Sequence, residues 1–210
     1  MSARRPARQT IPREAVTALR SADPVLRDVI DRVGEFEPSF EPDIWWALVD
    51  AIASQQLSMK AAATIIGRVA DLVPGERRPS PEEILATPDE TLRACGFSRA
   101  KVTYVKDLAT KWLDGTLEPD RLAELPDDAV VEHLVRVKGI GRWTAEMILL
   151  FTLRRPDVLP VDDLGLKSAV QRAYGLAERP GARELTGMGE AWRPHRSAAT
   201  LYLWRSLTLP

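Results

Sequence analysis

Apolar positions recur at helical spacing along most of the chain. In 13–33, 43–73 and 99–113 they follow the three- and four-residue spacing of amphipathic helices. Asp23-Pro24 divides the first run in two, because Asp favours the N-cap and Pro the first helical position. The polar sequence Ser54–Ser58 divides the second run at a tight turn. No β alternation is convincing, so the pattern predicts an all-α protein with many short helices.

Local start signals place the remaining helices. Ser80-Pro81-Glu82-Glu83 and Leu125-Pro126-Asp127-Asp128 each open a helix with acidic residues in its first turn. Further helices are predicted over Leu164–Tyr174 and Trp192–Leu207, whereas Gly175–Gly189 is expected to be rich in loops. We interpret the lysines of the 99–113 helix as a solvated outer face; they are Lys101, Lys106 and Lys111.

The length of 210 residues, 45% of them hydrophobic, fits one domain or two small lobes. We expect a flexible basic tail at 1–12, followed by one helical domain at 13–210. One lobe should span about 45–130, and the other should combine the N-terminal helices with 131–210.

The charge and the cysteine content exclude several kinds of binding surface and metal site. The net charge of −1 gives no general nucleic-acid signature, so any DNA-binding face must be local. Cys95 is the single cysteine, which excludes an internal disulfide and a four-thiolate metal cluster. His133 and His195 lack a paired ligand set, so we expect no side-chain metal site. The chain has no signal-peptide pattern and no apolar run of membrane length, which predicts a soluble, cytoplasmic protein without a membrane partner.

A glycine hairpin, Val137–Gly141, stands where one predicted helix ends and the next begins. Its glycines leave no Cβ between the backbone and a ligand, and the free amides of the new helix can bind a phosphate oxygen. Lys138 and Arg142 add positive charge. Residues 130–172 contain seven basic and five acidic residues, a local charge of +2 in a chain of −1. A plain helix–helix turn explains the two glycines equally well.

Four stretches together resemble the helix-hairpin-helix DNA glycosylase superfamily, and within it the 3-methyladenine DNA glycosylase II (AlkA-like) branch, which removes alkylated bases. They are VKGIGRWTAEMILLF, LPVDDLGLK, DAIASQQLSMKAA and WRPHRSAATLYLW. The resemblance covers roughly 43–204. It implies a two-lobed helical fold with an interlobe cleft, a role in base excision repair, damaged duplex DNA as the partner, and a monomer. The hairpin contact with the DNA backbone is assigned to Lys138, Gly139, Ile140, Gly141, Arg142 and Thr144.

The residue after Arg142 informs the subtype. Relatives that also cut the strand carry a lysine two residues after the last hairpin glycine, where it forms a Schiff base with the sugar. Trp143 occupies that position here. The resemblance therefore implies a monofunctional glycosylase without lyase activity. It implies no cofactor, although the hairpin carbonyls can hold a monovalent cation.

Two aspartates precede the predicted 164–174 helix. A carboxylate near the deoxyribose stabilises the positive charge that develops when the base leaves. From the residues alone, either Asp162 or Asp163 is equally an ordinary N-cap. The family register places the catalytic role on Asp163 and gives Asp162 a supporting role as cap or structural partner.

Aromatic residues supply candidates for the base pocket. Trp143 and Trp204 match aromatic pocket positions of the family, and a cationic alkylated purine stacked on such a ring gains about 0.5 to 2 kcal/mol. Met147 lies where some relatives have tyrosine. Trp45 and Trp46 are adjacent, so one should be buried while the other, assigned here to Trp46, reaches the pocket. Core packing is the alternative role for each of these residues.

The turn at Gln55–Leu57 is the candidate wedge that enters the base stack, with Gln56 the first choice and Gln55 and Leu57 the others. A solvated helix–helix turn is the alternative. Two other functions also stay open. One is a non-catalytic helix-hairpin-helix DNA-binding module, and the other is a glycosylase for oxidised, deaminated or mismatched bases.

Overall fold

The computed structural model describes residues 7–75 and 77–209, with side chains from Gln9 onward. The described residues form twelve α-helices, one 3₁₀ helix at Glu190–Trp192, and a two-stranded sheet of β1 (Ala7–Arg8) and β2 (Ser39–Phe40). The predicted all-α fold class is therefore confirmed. The helices in chain order are α1 (Arg13–Ala22), α2 (Pro24–Val33), α3 (Ile44–Ser54), α4 (Met59–Ala70), α5 (Pro81–Ala86), α6 (Asp89–Cys95), α7 (Arg99–Leu113), α8 (Asp127–Leu134), α9 (Arg142–Phe151), α10 (Leu164–Tyr174), α11 (Ala182–Gly189) and α12 (Arg196–Ser206).

Helix starts follow the capping chemistry in the sequence. Asp23 caps α2 by accepting hydrogen bonds from the amides of Val25 and Leu26, with Pro24 at the first position. Ser80 and Glu83 form a capping box at the start of α5. These contacts join residues within one turn of each other, which is why the sequence alone predicted where both helices begin.

Two predictions near the C-terminus are wrong. The 175–189 segment contains α11, a helix with two glycines that is held by packing of the fully buried Leu185. The last helix begins at Arg196 rather than Trp192, because Arg193 is extended ahead of Pro194. Of the predicted flexible tail, residues 1–6 lie outside the described residues, and Ala7–Arg8 form β1.

The described residues divide into two compact units. The first consists chiefly of 41–153 and contains α3 to α9. The second consists of 8–40 and 154–209 and contains α1, α2 and α10 to α12. The predicted lobe boundary near residue 130 differs from this division, because α9 packs against α3 and α8 and so belongs to the first unit.

In the second unit, the core surrounds the fully buried Trp192. Asp23, also buried, accepts hydrogen bonds from the indole of Trp192 at 2.9 Å and from the hydroxyl of Tyr174. Burial raises the pKa of Asp23, but the hydrogen bonds from these two side chains and from the α2 amides outweigh that effect and lower it below its usual value.

Among the described residues, no helix is long and apolar enough to cross a membrane.

Candidate active site

The two hairpin glycines have different structural roles. Gly139 has a φ of +81°, and a Cβ placed there would lie 2.2 Å from Cδ2 of Tyr104 on α7. Gly141 has a φ of −98°, and a Cβ there would meet no atom within 4 Å. Gly139 is therefore required by the backbone and by the packing of the hairpin on α7. Gly141 leaves its outer face open.

The start of α9 is the site where the sequence predicts contact with the DNA backbone. No side-chain hydrogen bond caps this helix, and Gly141 at its N-cap is exposed, as are Lys138 and Arg142 on either side. The side chains of Ile140 and Thr144 are buried. These two residues therefore have only main-chain atoms to offer a DNA backbone.

Asp107 of α7 anchors the hairpin. Its carboxylate accepts a hydrogen bond from the Lys138 amide at 2.9 Å and forms an ion pair with Lys111 at 2.5 Å. Burial raises the pKa of Asp107, but Lys111 and the Lys138 amide outweigh that effect and lower it. Lys111 therefore does not belong to a solvated face, contrary to the sequence interpretation.

Lys101 holds the turn after α3. Its amine donates to the carbonyl oxygens of Ala53 and Gln55 at 2.8 and 2.6 Å, where the negative end of α3 favours a cation. Burial lowers the pKa of Lys101. Lys101 was interpreted from the sequence as solvated because its partners lie more than forty residues away along the chain. Lys106, the third lysine, pairs with Asp89.

Gln55 connects this turn to the hairpin by donating its side-chain amide to the Gly139 carbonyl at 2.7 Å. Gln56 follows in the left-handed region, with a φ of +59°, and is exposed, as is Leu57. Gln56 and Leu57 are thus the wedge candidates that are available to enter a base stack, while Gln55 is held in place. Met59, 91% exposed at the start of α4, is a further apolar candidate that sequence reasoning missed.

A cavity of about 430 Å³ lies within the first unit, beside α3 and α9. Its volume falls in the range of small-molecule sites. Trp143, 46% exposed, lines this cavity with Met147 and Phe151, so the structure brings two predicted pocket residues together. Trp46 does not line it; this side chain is 5% exposed and stacks beneath the Arg78 guanidinium.

Trp46 was assigned to the pocket on the expectation that one of two adjacent tryptophans would be accessible. Both are buried, because Trp45 also packs edge-on against Trp112 at 5.4 Å between ring centroids.

Two carboxylates, Asp50 and Glu41, also line the cavity, and sequence reasoning missed both. Asp50 accepts a hydrogen bond from the Ser54 hydroxyl at 2.8 Å. Asp50 is exposed as a residue, yet desolvation of its carboxylate raises its pKa, as does the charge of Glu41, and together they outweigh the Ser54 hydrogen bond and the Arg78 charge, which lower it. The four-residue spacing of Asp50 and Ser54 was the available signal, since it places both on one helix face.

In the second unit, Asp163 caps α10. Its Oδ1 accepts hydrogen bonds from the Leu166 amide at 2.5 Å and from the Trp204 indole at 2.8 Å. A Cβ at Gly165 would approach this oxygen to 3.1 Å and the indole nitrogen to 3.3 Å, so glycine permits the close arrangement. Trp204, predicted as a stacking surface, is half-buried and orients the carboxylate.

Asp162 does not cap α10. It is exposed and lies 3.9 Å from the amine of Lys167. The cap role that the sequence offered to Asp162 therefore belongs to Asp163.

No three His, Cys, Asp or Glu side chains cluster as a metal site within the part of the chain that the structure describes. In the hairpin, the Val137 carbonyl accepts from the Ile140 amide and the Gly139 carbonyl accepts from Gln55. A carbonyl oxygen has two lone pairs, so both retain acceptor capacity that fits a monovalent cation.

The HhH-GPD superfamily base excision DNA repair protein model matches residues 49–194, and the chain belongs to this superfamily. DNA-3-methyladenine glycosylase 1 of Schizosaccharomyces pombe is 35% identical over an alignment of 207 residues that covers 93% of this chain and 91% of that protein.

Two solved structures have the same fold. The 3-methyladenine DNA glycosylase of Schizosaccharomyces pombe in complex with abasic DNA has a TM-score of 0.84 at 35% identity, covering 93% of this chain and 97% of that one. The DNA-3-methyladenine glycosidase of Bacillus halodurans has a TM-score of 0.85 at 36% identity, covering 95% and 93%. The helix-hairpin-helix glycosylase fold expected from the sequence is confirmed.

Proposed function

We propose that the protein is a monofunctional DNA glycosylase that hydrolyses the N-glycosidic bond of alkylated purines, of the 3-methyladenine and 7-methylguanine type, in duplex DNA. The observation that carries this proposal is the Asp163 carboxylate, which the Leu166 amide and the Trp204 indole hold in one orientation. A fixed carboxylate on a superfamily member of this kind supports chemistry on the sugar.

Asp163 acts on the deoxyribose. As the C–N bond breaks, positive charge develops on the sugar, and a preoriented carboxylate stabilises it without reorganisation. The base leaves with the electron pair of the broken bond, and water then bonds to C1′ and releases a proton to the solvent. The indole and the amide donate to the same oxygen, so they fix the direction of the carboxylate.

The cavity beside α3 and α9 takes the base. Trp143 offers an exposed aromatic face, and Met147 a polarisable thioether, to an electron-poor ring. A purine alkylated at N3 or N7 already carries positive charge, so it leaves readily and needs no general acid. Because Trp143 has no amine, the chain forms no Schiff base at this position, which supports hydrolysis without a strand-cutting step.

The Val137–Gly141 hairpin and the Gln55–Leu57 turn contact the DNA duplex. Main-chain amides at the start of α9, with Lys138 and Arg142, bind the DNA backbone. Gln56 and Leu57 enter the stack and help to extrude the damaged base. The chain carries all of these residues itself, so we propose that it acts as a monomer, for which native mass spectrometry should give 23.4 kDa.

A single-turnover assay with a duplex that contains 7-methylguanine tests the assignment of Asp163. We expect Asp163→Asn to lower the excision rate by about 100- to 1000-fold with little change in duplex affinity. Asp162→Asn is the matched control, since it removes the neighbouring exposed charge, and its rate should stay within a few fold of wild type. Normal excision by Asp163→Asn would overturn the catalytic assignment.

The same reactions, analysed with and without alkali, test the reaction type. Strand breaks should appear after alkali alone, because hydrolysis leaves an abasic site intact. Breakage without alkali would contradict a monofunctional enzyme. Duplex binding without any release of base would instead indicate a non-catalytic DNA-binding module.

A further inference from the structure

The charge of the cavity in the first unit is one-sided. Among the described residues that line it are two carboxylates, Asp50 and Glu41, and no lysine, arginine or histidine. Trp143, whose aromatic ring can attract a cation, lines the same space. The charged side chains that line this cavity, among the described residues, are therefore all acidic.

The two carboxylates differ in how their charge is balanced. Both oxygens of Glu41 accept hydrogen bonds from the Arg78 guanidinium, at 2.8 and 2.6 Å. Asp50 accepts from the neutral Ser54 hydroxyl, and among the described residues no cationic side chain forms an ion pair with it. Asp50 is therefore the carboxylate of this cavity whose negative charge is not matched by a direct ionic partner.

This situation suits a cationic ligand. Burial and the charge of Glu41 act against the ionised form of Asp50 and outweigh the Ser54 hydrogen bond and the more distant Arg78 charge, so the pKa of Asp50 is raised. A cation beside the carboxylate would favour the ionised form. The carboxylate is then an acceptor for an amino group or ring N–H that carries part of the positive charge, and such bonds are stronger than neutral ones.

We propose that Asp50 is a specificity residue of this cavity, which selects bases that carry a positive charge over neutral bases of similar shape. The inference rests on the proposed function, since it concerns the base that the cavity would admit. The proposed role adds to aromatic stacking, because an aromatic wall alone would give a smaller difference in affinity between neutral and charged rings.

Nucleoside binding tests the proposal without requiring turnover. Quenching of tryptophan fluorescence would be titrated with 7-methylguanosine, which is cationic, and with guanosine, which is neutral. Wild type should prefer 7-methylguanosine, and Asp50→Asn should reduce that preference by about 10- to 100-fold, the worth of a hydrogen bond to a charged group. The asparagine oxygen can still accept from Ser54, so the local structure should persist.

Asp71→Asn is the control for loss of charge in the same unit. Asp71 is exposed at the C-terminal end of α4, about 18 Å along that helix from the wedge turn, so its variant should keep the wild-type preference. Thermal unfolding followed by circular dichroism would verify that both variants fold.

Single-turnover excision then compares a 7-methylguanine duplex with a hypoxanthine duplex. Asp50→Asn should slow the former by about 10- to 100-fold and leave the latter nearly unchanged. Equal losses on both substrates, or a wild type that binds the two nucleosides equally, would overturn the specificity role. If wild type prefers 7-methylguanosine but releases no alkylated base, the proposed function fails while the charge selectivity stands.

Discussion

Alanine at Gly139 should destabilise the protein through two separate effects. An L-residue at the φ of +81° found here adopts the left-handed region, at a cost of about 1 to 2 kcal/mol. The new Cβ would also lie 2.2, 2.5 and 2.7 Å from three ring atoms of Tyr104, and relieving such overlap costs about 1 to 3 kcal/mol. The sum predicts that Gly139→Ala lowers the free energy of unfolding by about 2 to 5 kcal/mol.

Gly141→Ala is the matched control. A Cβ at this position meets no atom within 4 Å, and its φ of −98° suits any residue, so urea unfolding should be unchanged. The added methyl group stands where a phosphate would approach, so affinity for duplex DNA, measured by fluorescence anisotropy, should fall. The two variants thus separate folding from DNA binding within one hairpin.

A double variant divides the cost at Gly139. In a Tyr104→Ala background the ring is absent, so Gly139→Ala should cost only the backbone part, about 1 to 2 kcal/mol. An unchanged urea midpoint for Gly139→Ala in the wild-type background would refute the reasoning. So would a loss of stability for Gly141→Ala as large as that for Gly139→Ala.

Three further variants test other contacts. Lys101→Met removes two charge-assisted hydrogen bonds to the turn, so excision from duplex DNA should slow several-fold while binding of free 7-methylguanosine is kept. Trp204→Phe removes one donor to Asp163, so the single-turnover rate should fall about 10-fold at unchanged duplex affinity. Asp23→Asn should lower the free energy of unfolding by about 2 to 4 kcal/mol at pH 7. The pKa of Asp23 is lower in the folded protein than in the unfolded chain, so its stabilisation is complete above the unfolded pKa of 3.8 and is lost as the pH falls through the folded-state pKa. The urea midpoints of wild type and variant should therefore converge on acidification.

The sequence predicted those parts of the fold that depend on short-range chemistry. The caps at Asp23 and Ser80, and the full extent of α7 and α10, follow from residues within one or two turns of each other. The lobe boundary and α11 depend instead on packing between distant segments, for which the sequence offers no local signal. Leu185 shows this, because its buried contacts hold a helix of poor intrinsic propensity.

The candidate site divides in the same way. The resemblance assigned Trp143 and Met147 to one pocket, and the structure places both beside one cavity, since they lie one helical turn apart. Residue spacing could not reveal the contacts of Lys101, whose partners precede it by more than forty residues. It also could not reveal that Asp50 lines a cavity, because α9 supplies part of the cavity wall. The pocket assignment of Trp46 was wrong for a related reason, since periodicity does not show that both faces of α3 are covered at that position.

The contacts that fix the turn and the hairpin end on main-chain atoms. Lys101 binds the carbonyls of Ala53 and Gln55, Asp107 binds the Lys138 amide, and Gln55 binds the Gly139 carbonyl. These contacts depend on the path of the main chain and do not involve the side chains of Gln56 and Leu57. Position 57 can therefore vary while the framework beneath it is kept, and so can position 56 among residues such as Gly or Asn that tolerate its φ of +59°.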